Sequence, residues 1–235
     1  LDFPLEVGWA VQPLFAEMVG PVMVHAMQDR FVAGDYAALV AHSDSDIKSF
    51  GDLKAAYDAN PRDVAIGGGS VAGGMDHLVA ALVMKSAGAE PTAVKYIPYD
   101  AGGKAMAGLL SGEIGALSTG FGEAIEMQRQ GQVNILCVTS AERLSAAPDT
   151  PTCAEAGAPA EFVNWRGFFG APGLPEETRA AMIDALTKMY GTEEWATVRD
   201  RNGWAEIFNP GDAFETFLVE QEQQIGDLMK ELGFL

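Results

Sequence analysis

From residue 63 onward the chain alternates between short apolar runs and stretches of helical periodicity. Val64–Ile66, Val94–Ile97, Ile114–Leu117 and Val133–Thr139 are compact apolar runs of the kind that form buried strands. Between them, apolar residues recur every three or four positions. Met75, Leu78, Val79, Leu82 and Val83 mark a helix over Gly74–Ala87 that Gly88 closes. Ala105, Met106, Leu109 and Leu110 mark a second over Gly103–Leu110, and a third covers Glu123–Gln130 with Gly131 beyond it. Strand and helix in alternation, joined by short glycine turns, predict an α/β fold with a mainly parallel sheet flanked by helices on both faces.

The flanks read less regularly. Trp9, Val11, Leu14, Phe15, Met18 and Val19 fit an amphipathic helix that Pro21 breaks. Tyr36–Ala41 is a strand candidate. Ser49-Phe-Gly-Asp resembles a capping box, opening a helix with Phe50, Leu53 and Tyr57 on one face. Trp165–Ala171 is an aromatic strand candidate. Pro175-Glu-Glu opens a helix with proline at its first position, and Met182, Ile183, Leu186, Met189 and Tyr190 form a stripe expected to be core. A short helix over about Glu194–Arg201, a strand at Trp204–Phe208 and a long helix over Asp212–Leu232 complete the pattern. Phe214, Phe217, Leu218, Ile225, Leu228, Met229 and Leu232 face inward on that last helix.

Chemistry concentrates where the first clear strand meets its helix. Five glycines and a serine fall within residues 67–74, between Val64–Ile66 and Met75. Glycines let backbone approach a ligand closely, and the first-turn N–H groups are unpaired and carry the positive end of the helix dipole. Such a loop captures a carboxylate or phosphate; read structurally, it is a tight strand-to-helix turn with no ligand. In sheets of this kind, ligands sit beyond the carboxyl ends of the strands, where these loops lie.

Bulk properties narrow the partners. At 235 residues the chain suits one large domain or two small lobes. The formal charge of −18 argues against nucleic acid and anionic lipid, and requires local dipoles to hold any anionic ligand. No apolar run reaches the roughly 18 residues of a membrane span, and no signal-peptide pattern opens the chain. Cys137 lies in the apolar run Ile135–Val138 and reads as a buried small hydrophobe; Cys153 sits in a Pro/Thr-rich loop. With no CxxC and no cysteine framework, neither a disulfide scaffold nor a metal site is indicated. No His/Cys/Asp/Glu cluster has metal spacing, and no cofactor is called for.

Ser70 admits a rival reading. Gly68-Gly-Ser-Val-Ala approaches the nucleophile elbow of a serine hydrolase. Such an enzyme needs its histidine after the nucleophile, and His77, seven residues on along the same helix, points away from the base position. A P-loop is weaker, because no Gly-Lys-Ser/Thr follows the glycines.

Six segments then follow one another in a fixed order: Gly-Gly-Gly-Ser-Val-Ala-Gly-Gly-Met-Asp-His at 67–77, Val-Lys-Tyr-Ile-Pro-Tyr-Asp-Ala-Gly-Gly-Lys-Ala at 94–105, Leu-Ser-Gly-Glu-Ile at 110–114, Val-Thr-Ser-Ala-Glu-Arg at 138–143, Pro-Thr-Cys-Ala-Glu-Ala-Gly at 151–157, and Trp-Arg-Gly-Phe-Phe-Gly-Ala-Pro at 165–172. Together they resemble the substrate-binding receptors of tripartite tricarboxylate transporters, the TctC or Bug family, from about Gly34 onward.

The resemblance implies a periplasmic, two-lobed binding protein of type II, its signal peptide removed. It would hold a small organic carboxylate between lobes without chemistry and deliver it to membrane permease subunits. Lobe 2 is expected at 43–163, and lobe 1 at 1–42 plus 164–235, with Tyr36–Ala41 and Trp165–Ala171 as crossing strands. Residues 1–35 contain only Gly8, Gly20 and Gly34, short for the glycine-rich half-lobe such receptors carry there. That half-lobe is therefore expected to be incomplete.

The resemblance makes 67–77 the anion cradle: Gly68, Gly69, Ser70, Val71, Ala72, Gly73, Gly74 and His77. Tyr99, Asp100, Ala101, Gly102 and Gly103 form a second helix-start loop, and Ser118–Glu123 borders the same cleft, with Phe121 as a wall. Trp165 braces a crossing strand or touches ligand. Structural alternatives stand beside several of these: Ser70 or Asp100 as a helix cap, His77 as a satisfied structural histidine, and Phe121 as core. A carboxylate sensor without a transport role fits the same residues.

Overall fold

The computed structural model describes residues 31–167, 173–201, 203–208 and 212–235. The expected amphipathic helix at Trp9–Val19 and the short N-terminal half-lobe lie outside them. The chain divides into two compact units, one of Leu1–Gly34 with Trp165–Asp227 and one of Asp35–Asn164 with Leu228–Leu235. The first division falls at 34/35, eight residues before the expected boundary at 42/43, and residues 228–235 join the second unit.

The sheet of the second unit is built from β1 (Phe31–His42), β2 (Ala65–Gly68), β3 (Lys95–Pro98), β4 (Ala116–Gly120) and β5 (Val133–Val138), in the order β3-β2-β4-β1-β5. β2 pairs parallel with β3 and β4, while β1 pairs antiparallel with β4 (Ala37 opposite Gly120) and β5 (Ala38 opposite Val138). β6 (Val163–Gly167) also pairs with β1. β1 thus stands inside the sheet because its residues Ala37–Ala41 are apolar on both faces and fully buried. β3 stands at one edge of this order, where Lys95 stays in water and Pro98, which has no N–H to give, is tolerated.

Four helices cover this sheet: α1 (Phe50–Ala59), α2 (Met75–Ser86), α3 (Gly102–Leu110) and α4 (Phe121–Arg129). The capping box forms as expected. Ser49 Oγ accepts from Asp52 N at 3.2 Å, and Asp52 Oδ2 accepts from Ser49 N at 2.8 Å. α3 and α4 share one core with Ala38, Val40, Ala65, Ile114 and Leu117. Strand alternation sends Leu39 and Ile66 to the opposite face, and α2 buries Leu78, Val79, Ala80, Ala81, Val83 and Met84. Gly88 and Gly131 end their helices with φ of 82° and 71°, as their positions predict.

Three expectations are corrected. Cys137 and Cys153 are joined in a disulfide, with Cα atoms 4.9 Å apart. The loop after β5 turns back beside it: Cys153 N donates to Val138 O at 2.8 Å and Val138 N to Pro151 O at 3.1 Å, bringing the second thiol alongside the first. In the other unit, α5 (Glu176–Tyr190) buries no residue. Ile183, Leu186, Met189 and Tyr190 are half-buried and Met182 is exposed. Among the described residues, α5 packs on α6 (Glu193–Arg201) through Tyr190 against Trp195, and the Tyr190 ring also stacks on Phe208. The expected strand Trp204–Phe208 is one bridge, Gly34 to Ala205; Ile207 N turns back to Ala205 O at 3.0 Å and ends the ladder. The long helix α7 (Asp212–Glu231) forms, with Phe214, Ile225 and Leu228 buried.

Candidate functional site

β2, β3 and β4 each end in a glycine-bearing turn that starts a helix, so α2, α3 and α4 begin along one edge of the sheet unit. β2 runs out through Gly68 into the loop 69–74, and Gly74 is the N-cap of α2 without a side-chain cap bond. β3 runs through Tyr99 and Asp100 to Ala101, the bare N-cap of α3. The two loops touch backbone to backbone. A Cβ added to Gly69 would collide with Gly102 N and stand 2.7 Å from the Ala101 carbonyl carbon. Only glycine permits that approach, and it sets two helix N-termini, both ends of positive potential, side by side.

The first loop is tied from within. Ser70 Oγ accepts from Asp76 N at 3.0 Å and lies 3.3 Å from the Tyr96 hydroxyl, which donates to Ser70 O at 2.8 Å. Ser70 therefore caps α2 through its side chain. Gly74 N donates to Val71 O at 2.8 Å, and Gly73, at φ 82°, donates to His77 Nδ1 at 3.0 Å. The His77 ring stacks on Tyr96 with centroids 4.5 Å apart. Burial lowers its pKa, in keeping with the neutral ring that an accepting Nδ1 requires. Val71 and Ala72 stand exposed at the loop tip.

Asp76 escaped the sequence reading and is the strongest electrostatic feature of the loop. It is buried, and the Ser70 hydroxyl and the amides of Gly69 and Ser70 lie near enough to its carboxyl to favour the charged form. Burial pushes its pKa up to about 6, against the pull of those neighbours and with the help of nearby Glu123. Two of the amides expected to hold a ligand thus lie beside a buried carboxyl of the protein.

The second loop is open. Asp100 is exposed and pairs with Lys104 at 2.7 Å, which holds its carboxyl below the usual range. Gly102 and Gly103 open α3, where helix geometry gives their amides no partner in the helix. A Cβ on Gly103 would meet nothing within 4 Å, whereas one on Gly102 would stand 2.6 Å from Glu123 Oε2. Glu123 is held there by Thr119 Oγ1, which donates to it at 2.6 Å. Asp35, from β1, reaches the start of α4, where Gly122 N donates to it at 3.4 Å. Glu123 closes the segment Ser118–Glu123 expected to border the cleft, whereas Asp35 had no local signal, because its partner Gly122 lies 87 positions away.

The remaining expected residues lie elsewhere. Tyr99 turns its ring under α3, where Gly108 leaves room for it. Phe121 is 1% exposed within the α3–α4 core. Trp165 belongs to the other unit and packs edge-on against Phe214 and Phe217, at 5.4 and 6.1 Å.

Comparison with known proteins places this geometry. Residues 27–234 match the family model for the tripartite tricarboxylate transporter family receptor, TctC. Protein BugT of Bordetella pertussis is 31% identical over 233 residues, 98% of this chain and 69% of BugT. Among solved structures, a ligand-free TctC solute-binding protein from Polaromonas superposes with a TM-score of 0.78 at 22% identity, over 94% of this chain and 74% of that one. MatC of Rhodopseudomonas palustris, solved with bound malate, has a TM-score of 0.70 at 17% identity over 86% and 69%. A match to the receptor family over nearly the whole chain, on a sheet whose strands end in the expected glycine loops, means that this chain belongs to the TctC family of tripartite tricarboxylate transporter receptors.

Proposed function

We propose that the protein captures a small organic carboxylate at the paired loops 69–74 and 100–103 and hands it to the membrane permease of a tripartite transporter. The observation that carries this reading is the backbone contact of Gly69 with Ala101 and Gly102, which sets two helix N-termini together. With the Gly69 and Ser70 amides turned towards the buried Asp76 carboxyl, the donors best placed for a ligand are the amides of Gly102 and Gly103 and those of the loop tip. Glu123, beside Gly102, would accept from a ligand hydroxyl, so a hydroxy acid suits the loop better than the plain acid. Malate in the related MatC has that chemistry.

A periplasmic location accords with the Cys137–Cys153 disulfide, since such bonds persist in oxidising compartments. No helix among the described residues is long and apolar enough to cross a membrane. A hydrolase reading of Ser70 is disfavoured by its contacts. Its hydroxyl serves Asp76 N and Tyr96, and His77 Nδ1 is taken by Gly73.

The test is thermal unfolding of the purified protein against mono-, di- and tricarboxylates and aromatic acids, with malate paired against succinate. A ligand that binds only the folded state adds RT ln(1 + [L]/Kd), about 2.7 kcal/mol at a hundredfold excess over Kd. A clear shift with one acid is expected, larger for malate than for succinate. A folded sample that responds to no acid would overturn the assignment.

A further inference from the structure

We propose that Phe234 is a positioning residue for the glycine loop, acting on it from below through Gly73 and His77. The proposal rests on the reading of that loop as part of the binding site. Phe234 stands in the sheet unit beyond the end of α7. Its ring fills the space that a side chain at position 73 would occupy: a Cβ added to Gly73 would stand 3.2–3.4 Å from three of its ring carbons. The same ring meets the His77 imidazole edge-on, with centroids 5.6 Å apart and planes at 89°.

His77 lies between two aromatic rings, Tyr96 on its face and Phe234 at its edge. Each member of this group touches the loop. Tyr96 donates to Ser70 O at 2.8 Å, His77 accepts from Gly73 N at 3.0 Å, and Phe234 packs on Gly73 itself. Both ends of 70–73 are thereby fixed, and the exposed tip at Val71 and Ala72 is held between them.

Delivery of Phe234 to this place is built into the chain. Gly233, at φ 77°, closes α7 with Gly233 N donating to Lys230 O at 3.0 Å and Phe234 N to Met229 O at 2.9 Å. This is a Schellman motif, which fixes the direction of the residue that follows the glycine. Lys85 of α2 pairs with Glu231 and anchors the end of α7 to the helix that the loop begins.

The test combines amide exchange with ligand affinity for Phe234→Ala and Phe234→Tyr. In Phe234→Ala without ligand, the Gly73 amide should exchange at least about tenfold faster and the His77 ring resonances should move, while strand amides of β2 and β4 keep their protection. Phe234→Tyr keeps the ring edge and should restore both. With malate as the probe, the Kd of Phe234→Ala should rise about fivefold if the loop binds it. Unchanged Gly73 exchange and His77 resonances in Phe234→Ala would overturn the proposal. The exchange arm needs no ligand, so a wild-type protein that binds no acid would defeat the binding reading alone. Should Phe234→Ala unfold, Phe234→Leu at the same readouts decides the matter.

Discussion

Two loops of one design meet at the edge of the sheet unit and are finished in opposite ways. The loop after β2 is laced by its own protein: Ser70 caps its helix, His77 and Tyr96 hold its ends, and the Asp76 carboxyl is buried beside it. The loop after β3 has a bare alanine N-cap, a solvent-exposed aspartate and a glycine with open space beside it. The difference separates two tasks that both follow from strand–glycine–helix geometry. The first loop is a fixed surface, and the second keeps its amides available.

The largest test of that contrast is Gly69→Ala. The added methyl meets backbone on the neighbouring loop, which cannot swing aside as a side chain would. A loss of about 3 kcal/mol in denaturant unfolding is expected, together with loss of any ligand response. An alanine tolerated at wild-type stability would show that the two loops can part.

Next comes pH. Asp76 titrates near 6 in the folded protein, above the ordinary aspartate value of about 3.9. The folded state therefore binds this proton more tightly than the unfolded state does, and stability falls as pH rises through that window. Measured as wild type minus Asp76→Asn, which cannot titrate, the unfolding free energy should drop by roughly 2–3 kcal/mol between pH 4 and 7. A flat difference would mean that the carboxylate is not held in its buried place.

Ser70→Ala removes one cap and one partner of Asp76, and should cost about 1–2 kcal/mol by urea unfolding. An esterase assay on the same protein supplies the independent readout: activity in the wild type that the substitution abolishes would revive the hydrolase reading. The smallest effect is expected at the open loop. Gly103→Ala meets no atom, has ordinary helical backbone and reduces the freedom of the unfolded chain, so the unfolding free energy should hold or rise, by about 0.5–1 kcal/mol at most. A clear fall would show that the second loop is packed after all.

What the sequence disclosed follows the range of the interactions involved. The turns at Gly74, Gly88 and Gly131 and the capping box at Ser49 depend on residues within one helical turn, and their local spelling was enough. Asp35 serves Gly122, 87 positions away, and Glu123 overhangs Gly102 because β4 and β3 flank the same β2; neither is a local pattern. Asp76 stood inside the quoted 67–77 segment but was given no role, since nothing local marks its carboxyl as buried. The disulfide was missed because only the return of the chain along β5 brings Cys153 to Cys137. The stripe on α5 had the right period but none of its residues is buried. Periodicity reports which face is apolar and says nothing of what covers it.

The Cys137–Cys153 bond also has a mechanical meaning. Its ends are sixteen positions apart in the sequence, and a chain drawn out by force cannot extend the segment between them. At about 3.4 Å per extended residue, roughly 50 Å of contour stays hidden in the oxidised protein and is released by reduction. Stretched in an optical trap, the same polypeptide would therefore show two unfolded lengths, and the step between them would count the oxidised molecules one at a time.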